Sequence, residues 1–175
     1  MRRLRYCVAT SLDGFIAGPN GEYDWIVPDP AMDFAALWAQ FDICLMGRKT
    51  YEVARTRRAV FSGSGQRWIV VSSTLRREDH PDIELLSGNM IEAVAELKSQ
   101  SNPAQTAQDI WLFGGGALFR SLLDANLVDT VELTVMPVLL GNGTPLLSPG
   151  TRQKLRLQES KTFPSGTLAL KYAVE

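Results

Sequence analysis

The sequence predicts an α/β protein. It reads as a three-layer sandwich with a mostly parallel central sheet, helices on both faces and an antiparallel hairpin at the C-terminal end. Three observations predict this. Apolar runs of strand length alternate with stretches of helical periodicity. The runs are apolar almost throughout, as parallel strands covered on both faces must be. The last two strand-like runs are separated by Pro164-Ser165-Gly166, where proline suits the second position of a type I turn and glycine the fourth.

The elements follow in order. "RLRYCVAT" reads as the first strand. "DFAALWAQF" places Phe34, Leu37, Trp38 and Phe41 at helical spacing. "DICLMG" is a short buried strand, "RKTYEVARTR" a helix and "RWIVVSS" another buried strand. "NMIEAVAELKSQ" sets Met90, Ile91, Val94 and Leu97 on one helical face. "DIWLFG" is a strand, "GALFRSLLDAN" a helix from about Ala117, and "DTVELTVMP" a strand. "KLRLQESKTF" and "TLALKYAVE" make the closing hairpin. The polar, proline-interrupted stretch 98–109 suits a surface loop. No linker or repeat interrupts the pattern, so residues 1–175 read as a single domain.

Composition bounds the function. The chain has 175 residues, is 45% hydrophobic and carries a formal net charge of -1. Its basic residues are scattered apart from Arg55, Arg57 and Arg58, so nucleic acid is not the expected partner. No stretch approaches the roughly 18 apolar residues of a membrane helix, which points to a soluble, cytoplasmic protein. Cys7 and Cys44 lie inside apolar runs and read as buried, reduced thiols. With those two cysteines and one histidine, His80, no zinc-binding spacing exists, and no metal is expected.

In open α/β sheets, ligands bind beyond the carboxyl ends of the strands. Three such ends are specialised. In "CLMGRKTYE", a strand ends at Gly47 and a helix starts at about Arg48. The unpartnered N–H groups of that helix start, with Arg48, Lys49 and the Thr50 hydroxyl, suit a phosphate. The same residues also suit a plain solvated helix start. In "IVVSSTLR", Ser72, Ser73 and Thr74 close a strand, either as turn chemistry or as donors to a second phosphate. In "IWLFGGGALF", Gly114, Gly115 and Gly116 lead into a helix, an arrangement that lets backbone approach a pyrophosphate. A tight turn without ligand is the alternative. The spacing matches neither the dinucleotide fingerprint G-x-G-x-x-G nor a P-loop.

Taken together, "ATSLDGFIAGPNG", "DWIVPD", "LMGRKTYE", "IVVSST", "LFGGGALFRSLL" and "VELTVMPVLLGNGTPLL" resemble the dihydrofolate reductase-like fold. They are most similar to the family of the riboflavin-biosynthesis reductase C-terminal domain, over nearly the whole chain. The resemblance implies NADPH bound across the carboxyl edge of the sheet. Gly47, Arg48, Lys49 and Thr50 match its phosphate-binding helix start. Arg48 with Ser72, Ser73 and Thr74 matches the region that meets the ribose 2′-phosphate. Phe113, Gly114, Gly115, Gly116, Ala117, Leu118 and Phe119 match the turn over the pyrophosphate. Ala9 and Ile16 match positions flanking the nicotinamide, and "DGFIAGPNGEYDW" matches a mobile loop that closes over it. The residues agree on the cofactor: "VSST" lacks the acidic residue that NAD would want on its 2′-OH.

The resemblance also implies a substrate carboxylate early in the helix before "MGR", where Asp33 falls. Buried against Trp25 and Phe34 it would assist protonation. Alternatively Asp29 or Asp33 caps the helix, and Asp33 suits a helix starting at Phe34. Thr134 matches a threonine beside that carboxylate, or is an ordinary strand residue. The stretch "PVLLGNGTPLL" departs from dihydrofolate reductases, and no zinc deaminase domain precedes the first strand. The function expected is an NADPH-dependent reductase of a small heterocyclic or ribosylamino-pyrimidine-like substrate, and the homodimer is the expected assembly. The alternative is a non-catalytic nucleotide-binding or interaction module that kept the fold.

Overall fold

The computed structural model describes residues 1–56, 65–100 and 108–175. Arg57, Arg58 and the middle of the loop expected over 98–109 lie outside them. The chain runs β1 (Leu4–Ser11), β2 (Phe15–Ala17), α1 (Phe34–Trp38), β3 (Phe41–Gly47), α2 (Arg48–Arg55), β4 (Arg67–Val71) and β5 (Glu84–Leu86). It continues through α3 (Met90–Ser99), β6 (Asp109–Gly114), α4 (Gly116–Asp124), β7 (Thr130–Met136), β8 (Thr144–Pro145), β9 (Leu155–Thr162) and β10 (Leu168–Val174).

Eight strands form one sheet in the order β5-β4-β3-β6-β1-β7-β10-β9. The run from β5 to β7 is parallel throughout. β10 is antiparallel to β7, and β9 to β10. The expected turn is formed: the Gly166 N–H donates to Phe163 O at 2.9 Å, and Gly166 has φ +84°. β2 and β8 make a separate two-stranded antiparallel ladder. Sequence reading missed β2, β5 and β8, which have two or three residues each and no readable period.

The sheet buries a core on each face. Leu4, Tyr6, Ile43, Leu45, Ile110 and Leu112 pack against α3 and α4. There the rings of Tyr6 and Phe119 stack with centroids 3.8 Å apart. Burying side chains of this size stabilises the fold by roughly 1.5–3 kcal/mol each. On the opposite face Cys7, Cys44, Met46, Trp68 and Trp111 pack with Tyr51 of α2 and with Leu37 and Trp38 of α1.

α1 is shorter than expected. It has five residues, and Phe41, which the periodicity assigns to the helix, opens β3 opposite Asp109 and is 1% exposed. Strand pairing and burial together outweigh the local helical spacing there. A helix this short covers only part of its sheet face. Over β7, β10 and β9 that face carries Glu132, Thr134, Lys171 and Lys161, and a cavity opens above them.

Candidate active site

The order β4-β3-β6 sets three strand ends side by side. Gly47 pairs with Val71, and Met46 with Gly114, so the chain leaves all three strands at one level. Gly47 is the N-cap of α2 and Gly115 the N-cap of α4, and neither helix start has a side-chain cap. Two sets of unpartnered N–H groups therefore face one edge.

The glycines have neighbours in the protein itself. A Cβ on Gly114 would stand 3.1 Å from Thr50 Cγ2, and one on Gly116 would stand 3.0 Å from Pro145 O. Gly115 has φ +104°, which side chains rarely adopt. Its absent Cβ would lie 3.6 Å from Thr50 Oγ1 and 3.8 Å from Gly47 N. The turn thus lets α2 and the Pro145 segment approach the end of β6. α4 starts at Gly116, one residue before the expected Ala117.

Arg48 and Lys49 are exposed, and Arg48 Nη1 lies 3.3 Å from Glu52 Oε1 one helical turn on. Ser72 is buried, and its Oγ accepts from Thr74 N at 3.2 Å and Leu75 N at 3.1 Å. That is turn chemistry, so the outward donors of this end are Ser73 and Thr74, both exposed. Leu118 and Phe119 are core residues, and Phe113 joins Trp38, Trp68 and Trp111 in an aromatic cluster. Of that stretch only the glycine backbone and the exposed Ala117 remain for a ligand.

The start of the loop expected to be mobile is tied to the segment after β7. Asp13 accepts from Ser11 Oγ at 2.6 Å, from Gly141 N at 2.7 Å and from Leu140 N at 3.1 Å. Leu146 N donates to Gly14 O at 2.9 Å, and β2, carrying Ile16, pairs with β8. The Ser11 hydroxyl first, and then the Gly141 and Leu140 amides, hold the Asp13 carboxyl down to a pKa of about 2. Sequence reading missed Asp13. Its signal was "LDG" beside a second glycine-rich stretch, "LLGNG".

Over the face of β1, β7 and β10 lies a cavity of about 380 Å³. Ala9, Thr134 and Asp33 all line it, so the structure brings these three together. Ala9, Thr134 and Ala169 are also consecutive partners across β1, β7 and β10, a flat floor of small side chains. Phe34, Trp111 and Phe163 form apolar walls.

Asp33 is not the buried carboxylate that was expected. It is exposed and caps α1, with Oδ1 accepting from Ala36 N at 2.8 Å, and Phe34 beside it is 44% exposed. The short helix leaves nothing to cover it. The carboxylate buried in the segment before α1 is Asp29, 4% exposed, which accepts from Ala31 N at 2.8 Å and Ser165 N at 2.9 Å. Ser165 and the Ala31 amide hold Asp29 below the usual carboxylate range, so it stays ionised.

Under the cavity runs a charged network that the sequence did not reveal. Arg5 makes two 2.7 Å bonds to Glu132 and reaches Gln40 at 2.8 Å and Asp109 at 3.2 Å. Lys171 lies 3.5 Å from Glu132. Burial works against both charges. The Arg5–Glu132 pair outweighs it, lowering the Glu132 pKa and raising that of Arg5. Burial pushes the Cys7 thiol well up and the Cys44 thiol to about 12, so neither is a thiolate. Among the described residues, no group of three or more His, Cys, Asp or Glu side chains could hold a metal.

Residues 2–169 match the model of the RibD C-terminal domain. The chain belongs to that family. The uncharacterized protein YyaP of Bacillus subtilis is 33% identical over 98% of this chain and 94% of its own. A candidate riboflavin biosynthesis protein of Shewanella sp. PV-4 superposes with a TM-score of 0.81 at 26% identity, covering 100% of this chain and 99% of that one. Dihydrofolate reductase from Enterococcus faecalis, solved with NADP(H), shares the fold at a TM-score of 0.68 and 16% identity, over 99% and 96% of the two chains. The RibD C-terminal family is one of reductases on a dihydrofolate reductase-like fold, and this chain is a member of it. Among the described residues no helix is long and apolar enough to cross a membrane.

Proposed function

We propose that the chain is an NADPH-dependent reductase of a small planar heterocycle bearing a C=N or C=O bond. The observation that carries this is the adjacency of two places. The uncapped starts of α2 and α4 meet at one end of the sheet, and Ala9, on the floor of the cavity, stands near the carboxyl end of β1, the strand next to β6. The donor set fits NADPH. Arg48 and Lys49 supply cations, Ser73, Thr74 and Thr50 supply hydroxyls, and the turn after β4 has no carboxylate before Glu78.

Bound NADPH would supply the hydride. The chain's residues bind and orient. The α2 and α4 starts hold the phosphates, with Arg48, Ser73 and Thr74 toward the 2′-phosphate. Ala9 and Ala169 give a ring room to lie flat, and the apolar walls exclude water. Thr134 and the second Asp33 oxygen, Oδ2, orient the ring edge. Asp33, as an exposed cap, acts as an orienter and leaves proton delivery to solvent.

That exposed Asp33 also favours a second reading: a nucleotide-binding module that turns nothing over. Titration of the nicotinamide fluorescence with NADPH and NADH tests the first claim, and loss of absorbance at 340 nm with dihydrofolate and with pyrimidine substrates tests the second. NADPH binding with turnover supports the reductase. Binding without turnover supports the module, and no binding of either cofactor overturns both.

The proposal extends to a cytoplasmic homodimer. β9 ends the sheet as an eight-residue strand exposed along its length, with Leu155 and Leu157 at 42% and 51% exposure. An uncovered edge of this kind is a natural place for a second copy to pair. Sedimentation would show a dimer, and proline at an edge position should shift it to monomer.

A further inference from the structure

We propose that His80 is a positioning residue that sets the preference for a 2′-phosphate, acting through Tyr51. This rests on the cofactor reading above. Tyr51 follows Arg48-Lys49-Thr50 in α2 and is 5% exposed. Its hydroxyl lies 2.9 Å from His80 Nδ1, and the two rings meet edge-on at 85° with centroids 5.4 Å apart. His80 closes the segment leaving β4: its N–H donates to Arg77 O at 3.2 Å, and Ile83 N donates to its carbonyl at 3.5 Å.

One side chain therefore joins the helix that begins at Arg48 to the chain that runs on from Ser73 and Thr74. Those are the two groups of donors assigned to the 2′-phosphate. They belong to different elements, and both are exposed, so their own packing does not hold them at a fixed separation. The Tyr51–His80 contact joins the two elements, with Tyr51 three residues on from Arg48 and His80 six on from Thr74. It is half-buried, which keeps it from being a simple surface contact and also keeps its loss from emptying the core. NADH lacks the 2′-phosphate and does not use the spacing between these donors. A positioning role predicts an effect on NADPH that NADH does not share, whereas a purely structural role predicts an equal effect on both.

The test uses the full chain with His80→Leu, His80→Asn, Tyr51→Phe and the His80→Leu/Tyr51→Phe double variant. Kd for NADPH and for NADH is read by fluorescence, with Tm alongside. His80→Leu and Tyr51→Phe should each weaken NADPH about five- to tenfold, the size of one lost neutral hydrogen bond, with NADH changed by less than about twofold. His80→Asn, whose amide reaches the place of Nδ1, should restore most of the preference. The double variant should be no worse than either single one, because the two side chains act as one contact. An unchanged NADPH-to-NADH ratio in His80→Leu, or equal weakening of both cofactors, overturns the proposal. If His80→Leu does not fold, Tyr51→Phe and His80→Asn give the same comparison. Absence of NADPH binding by the unaltered chain would overturn the cofactor reading and this proposal together. Normal binding with an unmoved ratio would overturn this one alone.

Discussion

Arg48 stands in the first turn of α2 with Glu52 one turn away, and both side chains are close to half exposed. An exposed pair at this spacing is worth about 0.3–0.5 kcal/mol, so Arg48→Ala should barely move Tm. A charge-assisted contact to phosphate is worth about 1.5–3 kcal/mol, so the same variant should weaken NADPH roughly ten- to a hundredfold and spare NADH. Unchanged NADPH affinity in a fluorescence titration would remove Arg48 from the site. Asp33 separates its two roles cleanly, because asparagine caps as well as aspartate. Asp33→Asn should keep Tm and kcat and raise KM for the heterocycle, whereas Asp33→Ala should cost about 1 kcal/mol in denaturant unfolding. Gly115→Val should destabilise by roughly 1–3 kcal/mol whether or not cofactor is present, since φ +104° is strained for valine. Three glycines in a row were legible as a place of close approach. What approaches, Thr50 and the Pro145 carbonyl, was not legible, because both come from distant parts of the chain.

The fastening of the loop after β1 belongs to the scale of elements. Asp13 gathers the Leu140 and Gly141 amides, and the β2–β8 ladder continues the join. Asp13→Ala should speed hydrogen exchange at Leu140 and Gly141 and leave the core amides protected. The pH dependence follows from a lowered pKa. The contribution is complete above the ordinary carboxylate value near 4 and is lost as pH falls through about 2. Exchange at those two amides should therefore rise in that window, and a flat profile would mean that the charge of Asp13 is not what holds the loop. The glycines of "DGFIAGPNG" read as freedom when only local sequence is considered. The structure uses them for turns, Gly14 and Gly21 at φ +85° and +86°, within a segment tied down at its start. α1 shows the reverse effect: its periodicity ran on to Phe41, and pairing in the sheet cut the helix short.

At the scale of the molecule, the parallel pairing was legible because apolar runs of strand length alternate with helical periods, and the closing hairpin because Pro164-Ser165-Gly166 marks its turn. The pair under the cavity was not. Arg5 and Glu132 are separated by 127 positions, and each looks like a stray charge inside an apolar strand. Their side chains are only 3% and 15% exposed. Removing one partner of such a pair leaves the other charge buried, so Glu132→Ala should cost about 3–5 kcal/mol by urea unfolding. Because the folded pKa of Glu132 lies below its unfolded value, its contribution is present above the ordinary range and is lost as pH falls through the folded value. An unfolding free energy within about 1 kcal/mol of the unaltered chain would show that the pair specifies position more than it stabilises.

β9 and β10 are the last strands in the chain, yet they form one wall of the cavity. On the ribosome, β3, β4 and β6, whose ends lie side by side, emerge well before them. Until Lys171 and Ala169 arrive, Ala9 and Thr134 lack the neighbour that completes the floor, and Glu132 has Arg5 and the Thr130 hydroxyl beside it without Lys171. The closing hairpin has a tight local turn and can form quickly once it is free of the tunnel. In chain order the ends of β3, β4 and β6 are therefore complete before the strands that close the cavity exist.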